Sequence, residues 1–318
     1  MNNKRKKNSI KVKNLCKSYG KLKAVDNISF QVWEGEIFGF LGPNGAGKTT
    51  TTRMITGVFP PDSGEIYING YDLLKKTLQA KMKMGVVPEL ANAYLDLTAK
   101  QNIMFIAEMY GLSGRVIEKR ADELLIKFGL AKRKNDKIKQ FSKGMKQRVV
   151  ICMSLINSPE ILFLDEPTSG LDVQSTRLIR RVIRDLNGKG TTIFLTTHNI
   201  EEANTLCDRI AIMKKGSIAA IDSPENLKKI FKKSQSVEVN FNNQIKGLKE
   251  LLQNLDYVEN VKKRGDKFHL QTEKPGKVVE GMVNLSSQNK LELNSVKTIG
   301  PELAEVFIRL TGGEVDHE

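Results

Sequence analysis

The chain has 318 residues, a formal net charge of +15 and 40% hydrophobic content, a length that allows two domains and a composition that supplies a substantial core. The apolar run Val149 to Ile156 is broken by Ser154 and falls far short of the roughly 18 residues a membrane-spanning helix needs, and no span is expected elsewhere. Lys4-Arg5-Lys6-Lys7 has no apolar segment behind it, which excludes a secretory signal, and the widely spaced Cys16, Cys152 and Cys207 read as reduced thiols of a cytosolic protein.

In chain order, Ile10 to Leu15 and Asn27 to Val32 read as strands around a turn at Tyr19-Gly20. Glu34-Gly35-Glu36 then turns into the apolar stretch Ile37-Phe38-Gly39-Phe40-Leu41. Directly after it, Gly42-Pro43-Asn44-Gly45-Ala46-Gly47-Lys48-Thr49 fits G-x-x-x-x-G-K-[ST], ahead of helix-compatible Thr50 to Ile55. Strand, glycine-rich loop and helix form a phosphate-binding loop. Its glycines let backbone N–H groups turn inward on a triphosphate, Lys48 reaches the β and γ oxygens, and the Thr49 hydroxyl can ligate Mg²⁺.

Pro60-Pro61-Asp62-Ser63-Gly64 marks a turn before a strand from Glu65 that closes at Asn69-Gly70. Gln101 to Tyr110 and Arg115 to Phe128 carry helical patterns, so roughly 90 to 158 reads as a helical block inserted between strand-bearing ones. Within it, residues 127 to 146 hold eight basic side chains against one acid, Asp136. That density fits a solvated surface, an anionic lipid surface or membrane partner, or nucleic acid, although no aromatic residues interleave as a single-strand binder would require.

Ile161-Leu162-Phe163-Leu164 reads as a short buried parallel strand that ends in Asp165-Glu166-Pro167. Open α/β sheets place ligands at the carboxyl ends of their strands. Asp165 is therefore positioned to hold Mg²⁺ through water, and Glu166 to face a γ-phosphate and polarise an attacking water. Thr191 to Thr197 is a further core strand that delivers His198 to the same edge.

Beyond Ser223-Pro224-Glu225 the pattern changes. Ser236 to Phe241 alternates like a strand, and Gln244 to Leu255 reads as a helix. Tyr257 to Lys262 and Lys267 to Thr272 suggest a hairpin across Arg264-Gly265-Asp266. Val278 to Ser287 reads as a helix, Leu291 to Val296 as a strand, and Pro301 to Leu310 as a closing helix. The order β-α-β-β-α-β predicts a ferredoxin-like α+β domain over 234–318.

Phe141-Ser142-Lys143-Gly144-Met145-Lys146-Gln147-Arg148 resembles the signature of ABC-type ATPases, usually L-S-G-G-Q. Other stretches fall into that family's order: Tyr19 ahead of the phosphate loop, Val87-Pro88-Glu89 at the Q-loop, Ser169-Gly170-Leu171-Asp172 as the D-loop, and His198 as the switch histidine. The resemblance spans about residues 9 to 222. It implies a P-loop ATPase with a mixed α/β sheet core and a helical subdomain, acting on ATP with Mg²⁺. Glu166, His198 and Lys48 would carry the catalysis, and Thr49, Asp165 and Glu89 would hold the metal. Tyr19 would stack on adenine. The nucleotide would lie on Gly42, Pro43, Asn44, Gly45, Ala46, Gly47, Lys48, Thr49 and Thr50, with Ser142, Gly144 and Met145 completing the site.

The departures bear on these expectations. Glu89 stands where most relatives have glutamine, and Lys143 and Met145 replace the usual Gly and Gln; Ser142 and Gly144 keep a hydroxyl and a backbone N–H at a helix start. One chain has one phosphate loop and one signature, so the implied unit is a dimer sandwiching two ATP molecules, either a homodimer or a heterodimer with a related subunit. Residues 301 to 312 resemble the ending common among ATP-binding subunits of drug, antibiotic-peptide and sodium exporters. The expected protein is then peripheral on the cytoplasmic face of the membrane and drives a separate multi-spanning permease whose contact lies near Glu89 to Leu97. In this reading the C-terminal domain is dimerising or regulatory, and no nucleic acid is expected. The competing class is a soluble ABC-type ATPase acting on ribosomes or nucleic acid.

Overall fold

The computed structural model describes residues 7–90, 92–229, 235–243, 245–300 and 302–312; Lys4 to Lys6, Gln244 and Pro301 lie outside them. The chain divides into two compact units, Met1–Ser223 and Pro224–Glu318.

The first unit opens with β1 (Asn8–Tyr19) and β2 (Leu22–Trp33), a hairpin longer than the two predicted strands because register shifts carry the pairing through Asn14 and out to Tyr19↔Leu22. β3 (Ile37–Leu41) leads through the phosphate loop into α1 (Lys48–Ile55). Then follow β4 (Ser63–Ile68), β5 (Tyr71–Asp72), α2 (Thr77–Lys81) and β6 (Met84–Val87). The helical block comprises α3 (Ala99–Met109), α4 (Arg115–Lys127) and α5 (Lys143–Leu155). After it come β7 (Ile161–Asp165), α6 (Val173–Asn187), β8 (Thr192–Thr197), α7 (Ile200–Leu206), β9 (Arg209–Lys214) and β10 (Ser217–Asp222).

Two sheets build this unit. One is antiparallel, in the order β2-β1-β4-β5; the other runs β10-β9-β3-β8-β7-β6, parallel from β9 to β6 with β10 antiparallel at its edge. Every residue of β3, β7 and β8 is buried, as expected for strands covered on both faces. The core joins the sheets through aromatic rings. Phe30 of β2 stacks on Phe38 at 5.7 Å and meets Phe40 edge-on at 4.9 Å, and Phe194 lies 5.5 Å from Phe163. Such pairs contribute about 0.5–1.5 kcal/mol beyond area burial, which anchors the strands that end at the site. Gly39 is required in β3, since a Cβ there would come 2.6 Å from Cys207 Sγ.

In the helical block, α3 starts at a capping box in which Thr98 accepts from the Gln101 amide and Gln101 reaches back to the Thr98 amide. Fully buried Asn102 bonds the backbone N–H and C=O of Tyr94 and so fixes the loop between β6 and α3. The basic run at 127 to 146 is partly neutralised within the fold. Lys134 and Lys100 share Asp122, Arg133 pairs with Asp136, and Lys139 pairs with Asp96.

The second unit holds α8 (Pro224–Lys229), β11 (Ser236–Phe241), α9 (Leu248–Gln253), β12 (Asn260–Arg264), β13 (Lys267–Gln271), α10 (Pro275–Gln288), β14 (Leu293–Ile299) and α11 (Leu303–Thr311). Its antiparallel sheet runs β12-β13-β11-β14, the ferredoxin-like order, over a core of Val237, Val239, Leu252, Leu270, Val278 and Met282. Several predicted boundaries move. The helix expected over 244–255 is confined to Leu248–Gln253 because Gly247, in the left-handed region at φ 81°, sets its start. Tyr257 sits at φ 67°, so the strand expected from there begins at Asn260, and its hairpin closes on Gly265-Asp266 alone, with Arg264 paired to Lys267. The last strand is Leu293–Ile299 rather than Leu291 to Val296.

Candidate nucleotide site

The carboxyl ends of β3, β7 and β8 converge on a cavity of about 600 Å³, lined by Tyr19, Asn44, Gly45, Gly47, Lys48, Thr49, Thr50, Glu89, Glu166, Ser169 and His198, with Leu22, Lys23, Ala24 and Lys215. Gly42, Pro43 and Ala46 do not line it; they shape the loop from behind. A Cβ on Gly42 would come 2.9 Å from the Met213 carbonyl, and the Ala46 carbonyl accepts from the Gly216 amide at 3.0 Å. Gly47 adopts φ 102°, and a Cβ there would meet the Ala24 carbonyl at 2.5 Å, so only glycine fits. Among the described residues the amides of Gly45, Gly47, Lys48 and Thr49 donate to no protein acceptor. A turn of free N–H groups at a helix start is the chemistry that polyphosphate oxygens require.

Lys48 is buried, and its ammonium donates to the Gly42 carbonyl at 2.6 Å and the Pro43 carbonyl at 3.1 Å, with Glu166 Oε1 at 3.8 Å. Burial lowers its pKa, against the pull of Glu166, Asp165 and Glu89. Asp165 ends β7 and accepts a short hydrogen bond from the Thr196 hydroxyl of β8. Burial raises its carboxyl above the ordinary range, and the Thr196 bond opposes that rise.

Glu166 stands at φ 47°, an unusual conformation for a residue with a Cβ, and its amide donates to both the Thr196 carbonyl and hydroxyl. Burial raises its pKa, countered first by His198 and then by Lys48. His198 Nδ1 lies 2.9 Å from Glu166 Oε2. Thr197 fixes the turn after β8 by accepting from the Asn199 amide. A carboxylate held between a histidine and a lysine can take a proton from an attacking water.

This donor set fits the nucleotide and its metal. Thr49, Asp165 and Glu89 offer the hard oxygen ligands Mg²⁺ prefers, and bound Mg²⁺ would supply charge neutralisation at the transferring phosphoryl group. Tyr19 is half exposed at the end of β1 and braced edge-on by Phe59 at 6.5 Å, which leaves a ring face for a base.

Ser142, Gly144 and Met145 do not line this cavity. Ser142 caps α5 by accepting from the Met145 amide at 3.3 Å, while Gly144 packs against α6, where a Cβ would fall 2.9 Å from Ser175 Cβ. Asp172 caps α6 through the Ser175 amide at 2.8 Å. Sequence reasoning did not single out Thr196, Asn102 or Lys215. The first two are buried polar residues inside otherwise apolar or helical patterns, a signal that a search for satisfied polar groups would have raised.

The chain matches the ABC transporter family over residues 25–169. It is 38% identical over 305 residues to the linearmycin resistance ATP-binding protein LnrL of Bacillus subtilis, covering 95% of this chain and 98% of that one. It is 35% identical to the Nod factor export ATP-binding protein I of Ralstonia nicotianae, with 96% and 94% covered. The structure of the cassette MJ0796, a post-hydrolysis dimer bound to ADP and Pi, superposes with a TM-score of 0.63 at 31% identity, covering 67% of this chain and 98% of that one. On these likenesses, the relative at 38% identity over nearly its full length above all, the chain belongs to the ABC transporter family as an ATP-binding, ATP-hydrolysing subunit.

Proposed function

We propose that this subunit powers export through a separate multi-spanning permease, on whose cytoplasmic face it sits as an ATP-closed dimer. The observation that carries the reading is a second, apolar cavity of about 440 Å³ beside the Glu89 segment, bordered by Leu78, Met82, Val86, Pro88, Ile106 and Met109. Leu78 and Met109 are 71% and 70% exposed there, and with Met82 and Val86 they form an apolar border open to a partner. An apolar helix of a membrane protein fits such a groove. Because Pro88 adjoins Glu89 of the nucleotide cavity, movement of the docked helix reaches the ATP site within one residue. The contact surface is therefore assigned to α2, β6 and α3, which flank the predicted Glu89 to Leu97 stretch, and Asn92 of that stretch borders the same cavity. Relatives named for resistance and export across nearly the full length favour outward transport, and no helix among the described residues is long and apolar enough to cross a membrane.

Ser142 and Gly144, outside their own chain's cavity, are assigned to the partner's nucleotide, in a homodimer as the simplest arrangement. Tyr19 is assigned to the adenine, Thr49, Asp165 and Glu89 to Mg²⁺, and Glu166, His198 and Lys48 to hydrolysis.

A photo-crosslinker at Met109, installed in cells and followed by membrane isolation and mass spectrometry, tests the reading. Capture of a multi-spanning membrane protein is expected. Capture of ribosomal or nucleic-acid-bound proteins would move the protein to the soluble class.

A further inference from the structure

We infer that Lys215 is a nucleotide-binding residue, a second cation that contacts the phosphate oxygens common to ATP and ADP. The inference rests on the ATP-binding assignment of the cavity.

Lys215 and Gly216 form the two-residue turn between β9 and β10, where Lys214 pairs with Ser217. Both stand at positive φ, 46° and 81°, as a mirror-image hairpin turn demands. Asparagine, aspartate or glycine is preferred at the first of these positions. A lysine there adds backbone strain and gains nothing for the hairpin.

The turn is bound to the phosphate loop. The Gly216 amide donates to the Ala46 carbonyl at 3.0 Å, the Asp26 amide donates to the Gly216 carbonyl at 2.9 Å, and a Cβ on Gly47 would come 3.5 Å from Gly216 Cα. Lys215 is thereby held on the wall of the nucleotide cavity beside Gly47.

The charge inventory of that cavity favours an anionic partner. Lys48 is engaged by two carbonyls and Glu166, and Lys23 is paired with Asp26 at 2.8 Å. Glu89 and Glu166 add negative charge to the same wall. Lys215 is exposed and, among the described residues, its ammonium makes no hydrogen bond or ion pair. It is the cavity lysine still available to offset a polyphosphate, and it lies by Gly47 and Ala24, toward the part of the nucleotide that ADP shares with ATP.

The test compares the full-length wild type with Lys215→Asn and Lys215→Arg by calorimetric titration of ADP and a non-hydrolysable ATP analogue with Mg²⁺. Asparagine suits the turn, so Lys215→Asn should unfold at or above the wild-type temperature while losing about tenfold in affinity for both nucleotides, the loss of one charge-assisted contact. Lys215→Arg, which keeps the cation, should bind both nucleotides within about threefold of wild type. Unchanged affinities in Lys215→Asn, or an equal loss in Lys215→Arg, would overturn the inference while leaving the ATPase assignment intact. A wild type that binds neither nucleotide would overturn both.

Discussion

His198 Nδ1 stands 2.9 Å from one oxygen of Glu166 while the Lys48 ammonium stands 3.8 Å from the other, so a single buried carboxylate is held between two nitrogen donors. Burial pushes the Glu166 pKa up, and His198 is the first of the groups that hold it down. Removing the imidazole therefore lets the carboxyl rise further. His198→Ala should slow hydrolysis by about ten- to hundredfold at neutral pH. It should also move the acid limb of the rate profile to higher pH, because a larger fraction of Glu166 is then protonated and unable to take a proton. Phosphate release measured between pH 5 and 9 decides the matter, and an unmoved limb would show that the contact does not tune Glu166.

Asp165 gives a stability prediction of definite sign. Burial raises its carboxyl despite the Thr196 bond, so the folded protein binds this proton more tightly than the unfolded chain does. The stabilisation that follows is fully present below the unfolded pKa and is lost as pH rises through the folded one. At neutral pH the ionised group thus destabilises the nucleotide-free cassette. Asp165→Asn, which keeps an oxygen to accept from Thr196, should raise the melting temperature at pH 7 by about 2–4 °C for each kcal/mol relieved. The gain should shrink as pH falls and the wild-type carboxyl takes up its proton. A fall in melting temperature at pH 7 would show instead that the charge supports the fold.

Much of this site was legible in the sequence because its supporting strands are fully buried and so read as continuous apolar runs that lead into polar motifs: β3 into the phosphate loop, β7 into Asp165-Glu166, and β8 into His198. In the second unit, Ser236 to Phe241 matched its strand because one face is packed and the other is not. What was illegible depends on remote partners or on single backbone angles. Nothing local marks Thr196 as the donor to a carboxylate 31 residues earlier. Nor does the alternation after Leu255 reveal that Tyr257 turns left-handed and delays the strand to Asn260. Lys215 escaped for a related reason: Lys-Gly is a poor match to the Asn-Gly pattern by which such turns are found.

Glu89 lines the nucleotide cavity; its charge opposes the burial that lowers the Lys48 pKa and adds to the burial that raises the Asp165 carboxyl. Glutamine keeps an oxygen ligand and removes a negative charge from beside a polyphosphate. Glu89→Gln should therefore keep ATP hydrolysis within about tenfold of wild type, a barrier change under about 1.4 kcal/mol. Steady-state turnover at saturating Mg²⁺ and ATP measures it. A loss beyond that bound would mean that the carboxylate itself takes part in the chemical step.

Gly144 places the signature helix against the start of α6, and its missing side chain is what permits the approach: a Cβ would collide with the Ser175 hydroxyl and come 2.9 Å from Ser175 Cβ and 3.3 Å from Asp172 Oδ2. Asp172 and Ser175 are themselves locked by the cap of α6, so the neighbour that must yield is held in place by two hydrogen bonds. Gly144→Ala should destabilise the cassette by about 1–3 kcal/mol, the usual effect of overpacking a tight contact. Ser175→Ala removes the closest atom and should recover part of that loss in the double variant, an interaction that a cycle of chemical-denaturation measurements reads directly. Additive single effects would place the collision elsewhere.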